Sequence, residues 1–244
     1  IQPYYSRRLG STHPSVKREL RQAYRLMHKH FGHRNWWPGD TAFEICVGAI
    51  LTQNTSWKNV EHAITNLKAA KVLSARKIYA LSHEELAQLI RPAGYFNIKA
   101  KRLGNFVDVL VEEHGASLKR MFKGKTDNVR AHLLAINGIG PETADSMLLY
   151  AGNHHSFVID AYTKRIFSRH GWCNEKSDYD ELQTLCESSL NQKSGAPQLD
   201  YWQDYHAQLV GVGNRYCKTR NPLCMECPLE PLLPNQTCTS GKQS

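Results

Sequence analysis

The stretch LAINGIGPETA, residues 134–144, constrains the fold of this chain more than any other. Apolar residues recur at helical intervals on both sides of it, over 128–136 and 142–150. It therefore reads as two helices joined by the short turn Asn137-Gly138-Ile139-Gly140-Pro141. Gly138 and Gly140 permit a tight turn and a close approach to a partner surface. Pro141 suits a first helical position, where an N–H would have had no partner. The open amides of such a helix start can hold a phosphate oxygen, although the same glycines also serve a plain helix–helix connection.

Helical spacing runs through most of the remaining chain. A basic amphipathic stretch covers 16–31, with Leu20, Tyr24, Leu26 and Met27 at helical intervals. Further helices are expected over 42–51, behind the cap chemistry of Asp40-Thr41, and over 56–70. Ser74 and Ser82 can cap helices over 74–81 and 82–90, and Gly94 breaks the chain before 99–114. Helices over 161–170, 179–190 and 200–214 follow, with 191–198 as a linker rich in Ser, Gly and Pro. No alternating strand pattern of useful length occurs, so the expected fold class is all-α.

Lys and Arg total 31 against 22 Asp and Glu, a net charge of +9. That surplus favours a polyanionic partner through phosphate neutralisation, while it also serves solubility. No apolar run approaches the roughly 18 residues of a membrane helix. The opening residues lack a hydrophobic signal core, so a soluble monomer of the cytoplasm, nucleoid-associated in a bacterium, is expected. Seven Cys, an odd number, argue against a disulfide framework. Cys46, Cys173 and Cys186 sit among apolar neighbours as core thiols. Cys217, Cys224, Cys227 and Cys238 follow the pattern C-x6-C-x2-C-x10-C. Four thiolates in such a loop can hold a 4Fe–4S cluster or zinc.

Gly138-Ile139-Gly140 with Thr143-Ala144, followed by Val158-Ile159-Asp160, resembles the helix-hairpin-helix and Gly/Pro-Asp (HhH-GPD) signature of the endonuclease III superfamily of DNA glycosylases. Phe43-Glu44, Ile50-Leu51-Thr52-Gln53 and Gly94-Tyr95-Phe96-Asn97 with Lys99-Ala100 are similar to the first helical segments of that family, so the resemblance runs from about residue 36 to the final Cys. It implies double-stranded DNA with damaged bases as partner, bound through Gly138, Ile139, Gly140 and Thr143. It also implies that Asp160 stands at the mouth of a cleft between two helical lobes and serves cleavage of the glycosidic bond. A carboxylate there stabilises the oxocarbenium character of the breaking bond and can orient or deprotonate a water. Without the hairpin, an Asp before a helix would read as an N-cap. The family residue matching Gln53 wedges into the duplex where the target base leaves the stack.

The departures from the family pattern narrow the chemistry. Bifunctional members carry a Schiff-base Lys where this chain has Glu142, and a carboxylate cannot form an imine, so lyase activity is expected to be weak or absent. The adenine-removing branch uses a Glu at the position of Gly48. Trp36-Trp37 before the first core helix and Trp57 after Ile-Leu-Thr-Gln-Asn-Thr resemble the 3-methyladenine glycosylase III subgroup, whose aromatic residues sandwich the flipped base. A cationic alkylated purine stacks well on electron-rich rings. The terminal Cys pattern shares its first two spacings with the endonuclease III cluster loop and has a longer last one; the resemblance implies a 4Fe–4S cluster, with zinc as the alternative. Arg215, Lys218 and Arg220 in that loop, and Lys99, Lys101 and Arg102, are candidates for phosphate contacts.

The expected architecture is therefore two helical lobes. Residues 36–150 form one, with the hairpin at 129–150. Residues 1–35 and 151–244 form the other, with the cluster loop at 217–238. The expected function is monofunctional hydrolysis of the N-glycosidic bond of alkylated purines in base excision repair. The alternatives are an endonuclease III-like glycosylase for oxidised pyrimidines and a non-catalytic DNA-binding module.

Overall fold

The computed structural model describes residues 14–37 and 39–234. Over these residues the chain forms the helices α1 (Pro14–Phe31), α2 (Ala42–Leu51), α3 (Trp57–Ala69), α4 (Ala75–Tyr79), α5 (His83–Leu89), α6 (Phe96–Glu112), α7 (Leu118–Met121), α8 (Thr126–Ala135), α9 (Pro141–Ser146), α10 (Ala161–Arg169), α11 (Tyr179–Leu190) and α12 (Gly195–Arg215). A π-helical turn, Met147–Ala151, continues α9. No strand occurs among the described residues, and the fold is all-α. None of the described helices is long and apolar enough to cross a membrane. The chain divides into two units, Trp37–Ser156 on one hand and the segments up to Trp36 and from Phe157 on the other.

The Trp37–Ser156 unit is built around α2. Thr41 caps this helix, its side chain accepting from the Glu44 N–H at 3.1 Å. Cys46, Val47, Ile50 and Leu51 are fully buried, so the helix is covered on nearly every face. Leu103, Phe106, Val107 and Leu110 give α6 one apolar stripe that joins the same core as Leu133, Met147 and Leu148. Burying each such side chain contributes about 1.5–3 kcal/mol. Ser82 and Glu85 close a capping box on α5, as the Ser82 signal suggested, whereas Ser74 at the start of α4 makes no side-chain cap bond.

Lys99 corrects an expectation. Rather than reaching for phosphate it is 1% exposed, and its ammonium donates to the Leu51 and Ala93 carbonyls, at 2.8 Å each. These are carbonyls at a helix end and a tight turn, where backbone acceptors lack helical partners. The bond ties the start of α6 to the end of α2.

In the other unit α1 and α10 each pack on α12. The buried carboxylate of Asp204 on α12 accepts from the Tyr24 hydroxyl at 2.9 Å and the Arg34 N–H at 2.7 Å, which fixes α1 and the turn after it. The expected linker over 191–198 is shorter than predicted, because α12 already starts at Gly195. Pro197 is tolerated there because the first helical turn needs no N–H. The Gln198 side-chain oxygen instead accepts from the N–H groups of Gln192 and Lys193. Gly213 sets the α10–α12 approach, since a Cβ at this position would lie 2.2 Å from the Tyr162 ring.

Candidate functional site

In the Trp37–Ser156 unit the rings of Trp37 and Trp57 meet edge to face, with centroids 5.4 Å apart. Tyr150, delivered by the π-helical turn, also packs against Trp37, with ring centroids 5.1 Å apart. Gly48 lies beneath both indoles. A Cβ here would come within 3.3 Å of the Trp57 ring and 3.4 Å of Trp37 Nε1, so the missing side chain is what lets two large rings share one patch of α2. Trp57 is held by its indole N–H, which donates to Glu61 Oε1 at 2.8 Å. Trp36 is counted with the other unit. Tyr150 is a member of this aromatic set that the sequence reading missed.

The hairpin turn joins α8 to α9. Gly138 has φ +97°, a conformation that favours glycine, and Gly140 occupies the N-cap position with open space where a Cβ would project. Ile139 and Thr143 are buried, so what they can offer an incoming phosphate is backbone rather than side chain. Gln53 stands against this turn: its amide N–H groups donate to Gly138 O at 3.2 Å and Thr143 Oγ1 at 2.9 Å. The Arg102 guanidinium donates to Gln53 Oε1. The structure thus brings Gln53, Gly138 and Thr143 together. Glu142 is exposed in the first turn of α9. Tyr95, from the Gly94-Tyr95-Phe96-Asn97 segment, stands at the N-cap of α6 with φ +47° and is 69% exposed, close in the chain to the Lys99 tether.

Asp160 lies in the other unit, where it caps α10. Its Oδ1 accepts from the Thr163 N–H at 2.7 Å, while Oδ2 faces His206 Nε2 of α12 at 3.5 Å. Capping and a second role are therefore divided between the two oxygens. Both side chains are largely shielded, His206 at 4% and Asp160 at 11% exposure. Burial works to raise the carboxyl pKa, but the facing His206 and the bond from the Thr163 N–H outweigh it and hold the group below its ordinary 3.8. Asp160 is thus a carboxylate at neutral pH.

The far end of α10 grips the cysteine segment. Arg165 Nε donates to Cys217 O at 2.7 Å, and Arg169 Nη1 donates to Lys218 O at 2.8 Å while standing 3.2 Å from Cys217 Sγ. A guanidinium beside sulfur fits a thiolate ligand. The Leu223 N–H returns to Tyr216 O, folding the chain so that Cys224 and Cys227 follow on a 3-10 turn. Cys238 lies outside the described residues. Arg215, Lys218 and Arg220 are exposed. Burial pushes the Cys46 and Cys186 thiols well up and that of Cys173 up to about 11, in keeping with inert core thiols.

The family model described as "HhH-GPD superfamily base excision DNA repair protein" matches residues 47–192. A protein of Methanocaldococcus jannaschii assigned as a DNA repair glycosylase is 48% identical over 85% of this chain and 92% of its own length. Endonuclease III of Thermotoga maritima is 27% identical over 77% of this chain and 80% of its own. The crystal structure of the H. pylori 3-methyladenine DNA glycosylase bound to 1,N6-ethenoadenine superposes with a TM-score of 0.71 at 28% identity, covering 82% of this chain and 97% of that one. The chain belongs to the HhH-GPD superfamily of base excision DNA repair proteins and is a DNA glycosylase.

Proposed function

We propose that the protein is a monofunctional DNA glycosylase that releases alkylated purines from double-stranded DNA. The observation that carries the reading is the Trp37–Trp57–Tyr150 set over Gly48. Electron-rich faces at this place suit a purine ring carrying positive charge, and the absence of a carboxylate at Gly48 suits a leaving group that needs no protonation. The similar H. pylori enzyme, named for 3-methyladenine and crystallised with a modified adenine, supports the same substrate class.

Hydrolysis is assigned to Asp160 and a water. With its pKa held low, Asp160 is a poor base and a good anion, so its contribution is to stabilise the positive charge that develops on the sugar. An alkylated purine is already a labile leaving group, and such stabilisation suffices. Glu142 stands at the position where bifunctional relatives carry the imine-forming lysine and offers no amine. The hairpin 137–141 and Gln53 are assigned to the DNA, the first to phosphate and the second to the gap left by the base. Trp36 remains a proposed base-pocket residue on the resemblance alone. Cys217, Cys224, Cys227 and Cys238 are assigned to a 4Fe–4S cluster in preference to zinc; when bound, it would fasten the loop that carries Lys218 and Arg220, just after Arg215 at the end of α12.

The test is release of free base from methylated duplex DNA, separated by chromatography, for the wild-type chain and for Asp160→Asn. Release of 3-methyladenine that Asp160→Asn loses, with DNA binding retained, supports the proposal. Release of oxidised pyrimidines instead would transfer the assignment to an endonuclease III-like substrate.

A further inference from the structure

We propose that Glu113, His114 and His132 form a site for a divalent transition-metal ion of the zinc class, apart from the cysteine loop. They are the one group of three such side chains among the described residues whose ligand atoms all lie within 4.8 Å of one another. The Nε2 atoms of His114 and His132 face each other at 3.0 Å with their rings at 80°, and Glu113 Oε2 is 3.7 Å from His132 Nε2. A tetrahedral zinc with bonds of about 2.0–2.2 Å places its ligand atoms roughly 3.3 Å apart. The His114–His132 and His132–Glu113 separations lie within a few tenths of an ångström of that spacing, and the Glu113 and His114 ligand atoms are no more than 4.8 Å apart.

The backbone holds the site in place. After α6 the chain reverses through Gly115 and Ala116, both at positive φ, and the Ala116 N–H closes on Leu110 O at 2.8 Å. Arg120 then clamps the turn, donating to His114 O at 2.7 Å and Gly115 O at 3.0 Å. His132 comes from the last turn of α8, the first helix of the hairpin.

The donor set selects the ion. Two imidazoles and a carboxylate suit zinc, nickel or copper better than calcium or magnesium, which take oxygen ligands. Glu113 supplies negative charge and is 56% exposed, leaving a coordination position toward solvent for water. A bound ion would staple the end of α6 to α8. A simple Nε2–H···Nε2 hydrogen bond between the two histidines would account for their approach as well, but it makes no use of Glu113.

The experiment is a calorimetric titration of zinc chloride into the full chain with its cysteine loop loaded, run for wild type, His132→Gln and Glu113→Gln. Circular dichroism checks the fold of each variant. One zinc site that weakens at least about tenfold in each variant is the expected result. Cobalt substitution should give weak visible bands without thiolate charge transfer. Zinc binding unchanged in His132→Gln places the metal elsewhere and overturns the proposal. Binding unchanged in Glu113→Gln reduces the group to a histidine pair and overturns it equally.

Discussion

Asp160 Oδ2 stands 3.5 Å from His206 Nε2, while Asp160 Oδ1 is taken up by the N-cap of α10. Under the proposed function, His206 is a positioning residue for the carboxylate that serves hydrolysis. Asp160→Asn should lower base release by roughly a hundredfold or more. His206→Leu should lower it by about 10- to 100-fold through misplacement, with His206→Gln, which keeps a donor, retaining more. The pH profile separates positioning from simple instability. Loss of the His206 interactions leaves burial to raise the Asp160 pKa, so the acid limb of kcat/KM, below about 3.8 in the wild type, should move to higher pH. An acid limb that stays in place in His206→Leu contradicts this role.

Trp57 should matter most for alkylated bases. Removing one stacking face costs about 1–3 kcal/mol, so Trp57→Ala should reduce 3-methyladenine excision by roughly 5- to 150-fold in single-turnover assays. Gly48→Ala should produce a smaller loss, because its Cβ meets both indoles at 3.3–3.4 Å and forces them to shift slightly. Equal activity of all three proteins would remove the aromatic set from the pocket.

Lys99 gives the stability curve a recognisable alkaline signature. Burial and the Arg102 charge pull its pKa down to about 8 in the folded chain, against 10.5 ordinarily. Between these values the unfolded chain binds more protons, so stability gained through Lys99 rises with pH. The stability gap between wild type and Lys99→Met, measured by urea unfolding, should widen between pH 8 and 10.5, by up to about 3 kcal/mol. A gap constant across that window would show that the folded lysine titrates normally.

Arg169 is expected to protect the cysteine loop. Arg169→Gln removes the donor beside Cys217 Sγ and two loop carbonyl contacts. The visible absorbance of the loaded protein should then decay faster in air than that of wild type. Identical decay would show that Arg169 only shapes the backbone.

The hairpin was legible because Gly138 and Pro141 each encode a backbone requirement at a fixed place. Gly48 was read as a missing carboxylate; only the fold shows two indoles at that position. Tyr150 escaped notice because a π-helical turn shifts the register that helical periodicity assumes. His206 lies among apolar residues in α12 and resembles a core histidine until α10 sets Asp160 against it. Lys99 was misread as a surface cation, because no local pattern announces that two carbonyls from distant segments, Leu51 and Ala93, converge on it.

The proposed function entails hydrolysis without a lyase step. End-labelled duplexes, each with one alkylated purine, hypoxanthine, uracil or oxidised pyrimidine, would be incubated with the protein, with and without alkali, and with borohydride in parallel. Breaks should appear only after alkali, strongest for the alkylated purine, with no trapped adduct. Breaks without alkali, together with a borohydride-trapped covalent complex, would show that an amine replaces the one missing at Glu142 and would contradict the proposed function.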